Sequence, residues 1–139
     1  MPFVLDSSVA LAWALPDESN PILDPLLKGL TTERVMVPPI WPLEIGNVLL
    51  VAVRRGRLTA QDMTHLVREF RALPVEIDIM STEESFKETL FLAGKYELTT
   101  YDSSYIELAR RRNLPLATLD TKLRKVCLAT HIKLLPSKM

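Results

Sequence analysis

Four carboxylates stand where an α/β protein presents its chemistry. Asp6 directly follows the apolar run Phe3-Val4-Leu5, and Asp120 comes two residues after Leu116-Ala117-Thr118. Glu44 falls in the first turn of a helix that follows Val35-Met36-Val37, and Asp102 stands immediately before a helix expected from Ser103. Parallel strands place their carboxyl ends on one edge of a sheet, and the following helices start at that same edge. Four anions gathered there repel one another unless a cation lies among them. Oxygen-only ligands suit Mg²⁺ or Mn²⁺ rather than zinc. An ion so held activates a water and stabilises charge on a phosphoryl oxygen. Ser8, Asn47 and Thr118, with Ser7, Ser103 and Ser104, flank the acids as hydrogen-bonding support. Taken singly, each acid has a plainer role as a helix cap or a partner of the helix dipole. The coincidence of all four is what points to a site.

The elements that must position these residues alternate along the whole chain. Phe3–Leu5 reads as a buried strand, followed by a helix from about Ser8 to Leu15 that Pro16 stops. Asn20 and Pro21 open a second helix reaching Gly29. Val35–Val37 is the next strand, then a helix from about Pro42 to Arg55 that ends at Gly56, a residue tolerant of the left-handed cap. Thr59 with Asp62, and Ser81 with Glu84, have capping-box spacing and open helices to Leu73 and about Lys95. Val75, Ile77 and Ile79 alternate with Glu76 and Asp78, the pattern of an edge strand with one polar face. The rest reads as a helix Ser103–Arg112, a strand Leu116–Thr118, a helix Thr121–Thr130 and a strand Ile132–Leu135. Five short strands separated by helices predict a three-layer α/β/α sandwich with a central, mostly parallel five-stranded sheet. At 139 residues the chain is expected to be one domain spanning 1–139.

Composition narrows the function. The 17 basic and 17 acidic side chains cancel, so bulk charge gives no argument for a polyanionic partner. Their placement is uneven: residues 1–27 hold Asp6, Asp17, Glu18 and Asp24 without a Lys or Arg, whereas the segment from Arg110 onward is strongly basic. No positive flank precedes the N-terminal apolar run, and no apolar run approaches the length of a membrane span. A cytoplasmic protein without membrane contact is expected. Cys127 is the only cysteine, which excludes an internal disulfide or a multi-cysteine zinc site, and its helical pattern with Leu123 and Val126 marks a buried hydrophobe. Neither a GxGxxG nor a GxxxxGK[ST] loop is present.

Several basic and aromatic residues have two readings. Arg54, Arg55 and Arg57, and also Arg110, Arg111 and Arg112, lie at helix ends where positive charge complements the dipole. Lys122, Arg124 and Lys125 instead follow Asp120 at a helix start, where the dipole disfavours cations, so phosphate contacts are expected of them. Trp13 sits in an apolar stripe and reads as core; Trp41, beside Glu44, is open to stacking on a base.

The stretches Val4-Leu5-Asp6-Ser7-Ser8-Val9, Pro42-Leu43-Glu44-Ile45-Gly46-Asn47-Val48-Leu49, Thr100-Tyr101-Asp102-Ser103-Ser104-Tyr105 and Leu116-Ala117-Thr118-Leu119-Asp120 together resemble the PIN-domain family, closest to its VapC-type toxin ribonucleases. The resemblance runs in order over essentially the whole chain. It implies a Mg²⁺- or Mn²⁺-dependent endoribonuclease whose acidic quartet corresponds to Asp6, Glu44, Asp102 and Asp120. It further implies an RNA substrate, a homodimer and a cognate antitoxin protein lying near the active site. The apolar helices support protein partners: Leu43 to Val53 is largely apolar, and Val9 to Leu15 is apolar throughout, more than the stripe one packed face requires. The alternatives are a non-catalytic PIN-like module that binds RNA or protein, and an RNA-maturation nuclease outside a toxin–antitoxin pair. A phosphatase with an aspartyl nucleophile fits less well, since Ser8 stands where its second Asp is usual.

Overall fold

A computed structural model describes residues 2–30 and 32–139. Five strands, β1 (Phe3–Leu5), β2 (Val35–Val37), β3 (Val75–Ile77), β4 (Leu116–Ala117) and β5 (Leu134–Leu135), form one sheet in the order β3-β2-β1-β4-β5. Every pairing is parallel, with Val4 against both Met36 and Leu116. The sheet runs outward from central β1 to β2 and β3, then returns to β4 on the other side. That reversal puts the switch of direction between β1 and β4, where the connections diverge and leave a crevice at the strand ends.

Helices α1 (Ser7–Ala14), α2 (Asp24–Gly29), α3 (Trp41–Arg54), α4 (Ala60–Ala72), α5 (Thr82–Glu84), α6 (Leu90–Tyr96), α7 (Thr100–Arg112) and α8 (Thr121–Ala129) supply the crossovers. The expected three-layer α/β/α sandwich is the observed fold. Both capping boxes form: Thr59 and Asp62 bond reciprocally, as do Ser81 and Glu84. Gly56 takes the left-handed conformation after α3, at φ 75°. β3 is an edge strand, as its alternation suggests, but it ends at Ile77.

The last strand is shorter than expected, Leu134–Leu135 rather than Ile132–Leu135, and three helices depart from the sequence reading for physical reasons. The helix expected from Pro21 to Gly29 begins as a 3₁₀ turn, Pro21–Leu23, capped by Asn20, and restarts as α2, because Pro25 has no N–H to continue an α-helical ladder. The helix from Ser81 contains a wider π-type turn at Ser85–Thr89, and the Thr89 carbonyl accepts from the Ser103 hydroxyl at 2.7 Å. Helix α7 begins at Thr100, not Ser103, since the Thr99 hydroxyl accepts the Asp102 N–H at 3.1 Å and caps the helix three residues earlier.

One core fills both faces of the sheet, from Phe3, Val4 and Leu5 at its centre to Leu108, Leu116 and Leu123. α1 is consumed by it. Val9, Ala10, Leu11, Ala12 and Leu15 are all buried within the single chain, and Trp13 packs edge-on against Phe70 at 5.9 Å. The apolar surplus expected of α1 as a partner surface is therefore largely taken up inside the chain, where α1 packs against α3 and the turn that follows α1. Trp41 is buried too, edge-on to Phe70 at 6.1 Å, and does not present its ring to a base. Among the described residues no helix is long and apolar enough to cross a membrane.

Candidate active site

The site grows from the junction of β1 and β4. The Asp6 N–H donates to the Ala117 carbonyl at 3.0 Å, continuing the ladder past the last residue of β1 and fixing Asp6 at the N-terminus of α1. Its side chain does not cap that helix. One oxygen, Oδ2, instead accepts the hydroxyls of Ser8 at 2.6 Å and Thr118 at 2.7 Å. Each hydroxyl is also an acceptor: Ser8 Oγ takes the Leu119 N–H, and Thr118 Oγ1 takes the Asp120 N–H, both at 3.0 Å. These bonds lace the two strand ends together and leave neither hydroxyl free to turn. Ser8 and Thr118 thus serve the carboxylate in the supporting part expected of them.

The other three acids come from helix starts. Asp120 is the N-cap of α8, its Oδ1 accepting the Leu123 N–H at 3.0 Å. Asp102 lies inside the first turn of α7, and Glu44 in the first turn of α3, where an anion meets the positive end of the helix dipole. Glu44 Oε1 accepts the Tyr105 hydroxyl at 2.5 Å, which ties α3 to α7 across the site. Tyr105 was not singled out by residue type. It stands one turn after Asp102, a spacing that puts it on the same side of α7 and could have marked it.

Charge is unbalanced here. Asp6 is 4% exposed and has hydroxyl but no cationic partners among the described residues. Burial pushes its pKa up, the two hydroxyl bonds work against that, and the charges of Asp102 and Asp120 add to the rise. Burial also raises Glu44, with the Tyr105 bond opposing and Asp6 and Asp102 adding. Asp102 is raised by burial and by Asp120, with Lys122 partly compensating. The four carboxylates are therefore electrostatic neighbours. Among the described residues, however, no three His, Cys, Asp or Glu side chains are drawn together closely enough to enclose an ion. The donor set still fits a hard divalent cation: every candidate ligand is a carboxylate oxygen, and the deepest one lacks the positive partner that a buried carboxylate ordinarily has.

The remaining candidates divide. Lys122 is exposed, donates to the Glu97 carbonyl and lies near Asp102; Lys125 is exposed on the same helix. Arg124 is engaged differently from what its position suggests. Its guanidinium donates to the Thr118 carbonyl at 2.9 Å and the Pro136 carbonyl at 2.7 Å, bracing the strand end that carries Thr118 rather than projecting toward a phosphate. Asn47 is exposed one turn beyond Glu44 and makes no side-chain hydrogen bond among the described residues. Cys127 is buried and its thiol is pushed up to about 12 by that burial, which removes it as a nucleophile near neutral pH.

Residues 3–128 match the PIN domain family. Ribonuclease VapC9 of Mycobacterium tuberculosis is 31% identical over 121 residues, covering 86% of this chain and 87% of that protein. Ribonuclease VapC3 of Pyrobaculum aerophilum is 26% identical over 123 residues, covering 88% and 92%. Among solved structures, PAE2754 from Pyrobaculum aerophilum superposes with a TM-score of 0.65 at 27% identity, over 88% of this chain and 77% of the other. VapBC2 from Rickettsia felis, solved bound to a DNA fragment from its promoter, gives 0.66 over 96% and 97%; at 14% identity that likeness concerns the fold alone. Sequence, sheet order and family match converge: the chain belongs to the PIN-domain family, in its VapC-type branch.

Proposed function

We propose that this protein is a divalent-metal-dependent endoribonuclease and the toxin of a toxin–antitoxin pair. The observation that carries the reading is Asp6: a buried carboxylate held by two hydroxyls, electrostatically coupled to three further acids and without a cationic partner among the described residues. Relatives named ribonucleases support the same chemistry. Asp6, Glu44, Asp102 and Asp120 would hold Mg²⁺ or Mn²⁺. Bound there, the ion supplies an activated water and neutralises charge on the phosphoryl oxygens. Ser8 and Thr118 aim Asp6, Tyr105 aims Glu44, and the N-terminus of α8 aims Asp120. Lys122 and Lys125 hold the RNA backbone beside the acids, whereas Arg124 keeps the strand end in register.

The same reading includes a homodimer and an antitoxin. An apolar groove of about 550 Å³ between Leu43, Phe86, Leu90 and Tyr101 adjoins Glu44 and Asp102, and all four of these side chains are exposed. A second copy is the proposed cover. Sedimentation should give a dimer at micromolar concentration, and Leu43→Glu should give a monomer.

Incubation of the purified protein with a single-stranded RNA oligonucleotide tests the activity. Cleavage should need Mg²⁺ or Mn²⁺, leave 5′-phosphate ends, stop with EDTA, and fall by about a hundredfold or more in Asp6→Asn, the upper range for disturbing a metal's ligand sphere. Cleavage that persists in EDTA, or in Asp6→Asn at the wild-type rate, contradicts the proposal.

A further inference from the structure

The sheet has two edges, and a proline cuts short only one of them. After β5, Pro136 follows directly with no N–H to offer, and the Arg124 guanidinium occupies its carbonyl. At β3 the Val75 N–H is tied back to the Leu73 carbonyl at 2.7 Å, and Asp78 rather than a proline follows the strand. The Val35 N–H donates to the Pro74 carbonyl and the Asp78 N–H to the Val37 carbonyl. Parallel alternation then turns Glu76 toward β2, and points the Val75 carbonyl and both backbone groups of Ile77 away from the sheet. No Lys or Pro lies within the strand to blunt it.

Beside this open edge is an apolar groove of about 290 Å³, lined by Trp41, Ile45, Val67, Phe70 and Ile77 with Arg71 among its walls. Ile77 is 47% exposed, and Ile79, next on the same alternation, is 92% exposed. The indole of Trp41 carries the one buried side-chain polar atom, Nε1, that lacks a hydrogen-bond partner among the described residues. Of the local acids, Glu76 pairs with Arg34, and Glu69 lies 3.0 Å from His65, which balances its charge only when protonated. Arg71 is the one charged side chain among those lining the groove and has no ion pair among the described residues, so the lining itself carries a positive charge.

We propose that the β3 edge and this groove form a docking site for an extended, acidic and apolar segment of a partner protein, added as a strand beside β3. The open ladder selects extended backbone, because only that conformation presents donors and acceptors at the spacing of Val75 and Ile77. The groove selects apolar side chains at every second position, and the unpaired Arg71 selects an acid beside them. This surface is separate from the acidic site, and the inference stands whether or not the protein cleaves RNA.

A random dodecapeptide library displayed on phage and selected on the wild-type protein tests it. Enriched peptides should carry apolar residues with a period of two and a net negative charge, and should slow hydrogen exchange of the Ile77 amide at least tenfold. Synthetic copies should bind Ile77→Pro, which removes the outward N–H, at least tenfold more weakly. They should bind Arg71→Glu, an exposed change that leaves the fold intact, severalfold more weakly. Failure to enrich any peptide, enrichment of basic or helix-periodic peptides, or unchanged binding to both variants overturns the proposal. A wild-type dimer that Ile77→Pro converts to a monomer also overturns it, since the occupant is then a second copy of the chain.

Discussion

Asp6 and Asp78 are the same residue type, each directly after a parallel strand and each almost fully buried, at 4% and 3% exposure. Their surroundings are opposite. Asp78 receives the guanidinium of Arg111 at 2.5 and 3.2 Å and that of Arg112 at 3.3 Å, and Arg111 also bonds Glu107, itself buried, at 2.7 Å. Burial alone would raise the Asp78 pKa, but the two guanidiniums outweigh it and hold the group below its ordinary value. Asp6 has hydroxyls and like charges, and is held above its ordinary value. One carboxylate is satisfied by the chain and contributes to holding α7 against the sheet. The other is left in deficit, as expected where a ligand completes the charge balance. A fold can thus carry two buried acids at equivalent places and balance the charge of only one of them with its own side chains.

Substitutions sharpen that contrast. The largest effect on stability is expected from Arg111→Met, which leaves Asp78 and Glu107 buried without their shared cation; breaking such a pair costs about 3–5 kcal/mol. Chemical denaturation should show that loss, with cleavage per folded molecule unchanged. A stability loss under 1 kcal/mol would mean that the ion cluster holds nothing together. At the other aspartate the expected effect is catalytic. Ser8→Ala or Thr118→Val should lower the cleavage rate by about 10- to 100-fold, the usual cost of disturbing a metal ligand's support, while the melting temperature moves little.

The smallest effect is the pH dependence. Asp78 has a depressed pKa in the folded state, so its contribution to stability is fully present above the unfolded value of 3.8 and is lost as pH falls through the lower, folded value. Urea unfolding of wild type and Asp78→Asn should therefore differ at neutral pH, begin to approach one another as pH falls below about 3.8 and meet only below the lower, folded value. A difference that persists undiminished in acid would show that shape, not charge, sets the contribution of Asp78.

The four acids are legible in the sequence because their positions depend on local events: an apolar run ends, or a capping spacing begins. The same holds for the capping boxes at Thr59 and Ser81 and for the edge character of Val75–Ile77. Thr99 escapes notice although Thr99 and Asp102 have the same spacing as Thr59 and Asp62, because the following Ser-Ser pair offers a competing cap. Asp78 reads as the polar face of a strand since its partners lie more than 30 residues away. Arg124 reads as a phosphate ligand although its partners are nearer in sequence, because they are the backbone carbonyls of Thr118 and Pro136, which no residue type announces. Pairings across the fold, and the burial of α1 under α3, follow from the assembled layers and leave no mark in local pattern.

The central claim is that the Asp6 cluster is completed by a divalent cation whereas the Asp78 cluster is complete already. Thermal unfolding with and without millimolar Mn²⁺, on wild type and on Asp6→Asn, tests this most directly. Mn²⁺ should raise the wild-type melting temperature by several degrees, as for any ligand well above its dissociation constant. It should leave Asp6→Asn unmoved, and that variant should melt above the wild type in EDTA because one repelling charge is gone. A wild-type protein indifferent to Mn²⁺, or an equal rise in both proteins, would contradict the account.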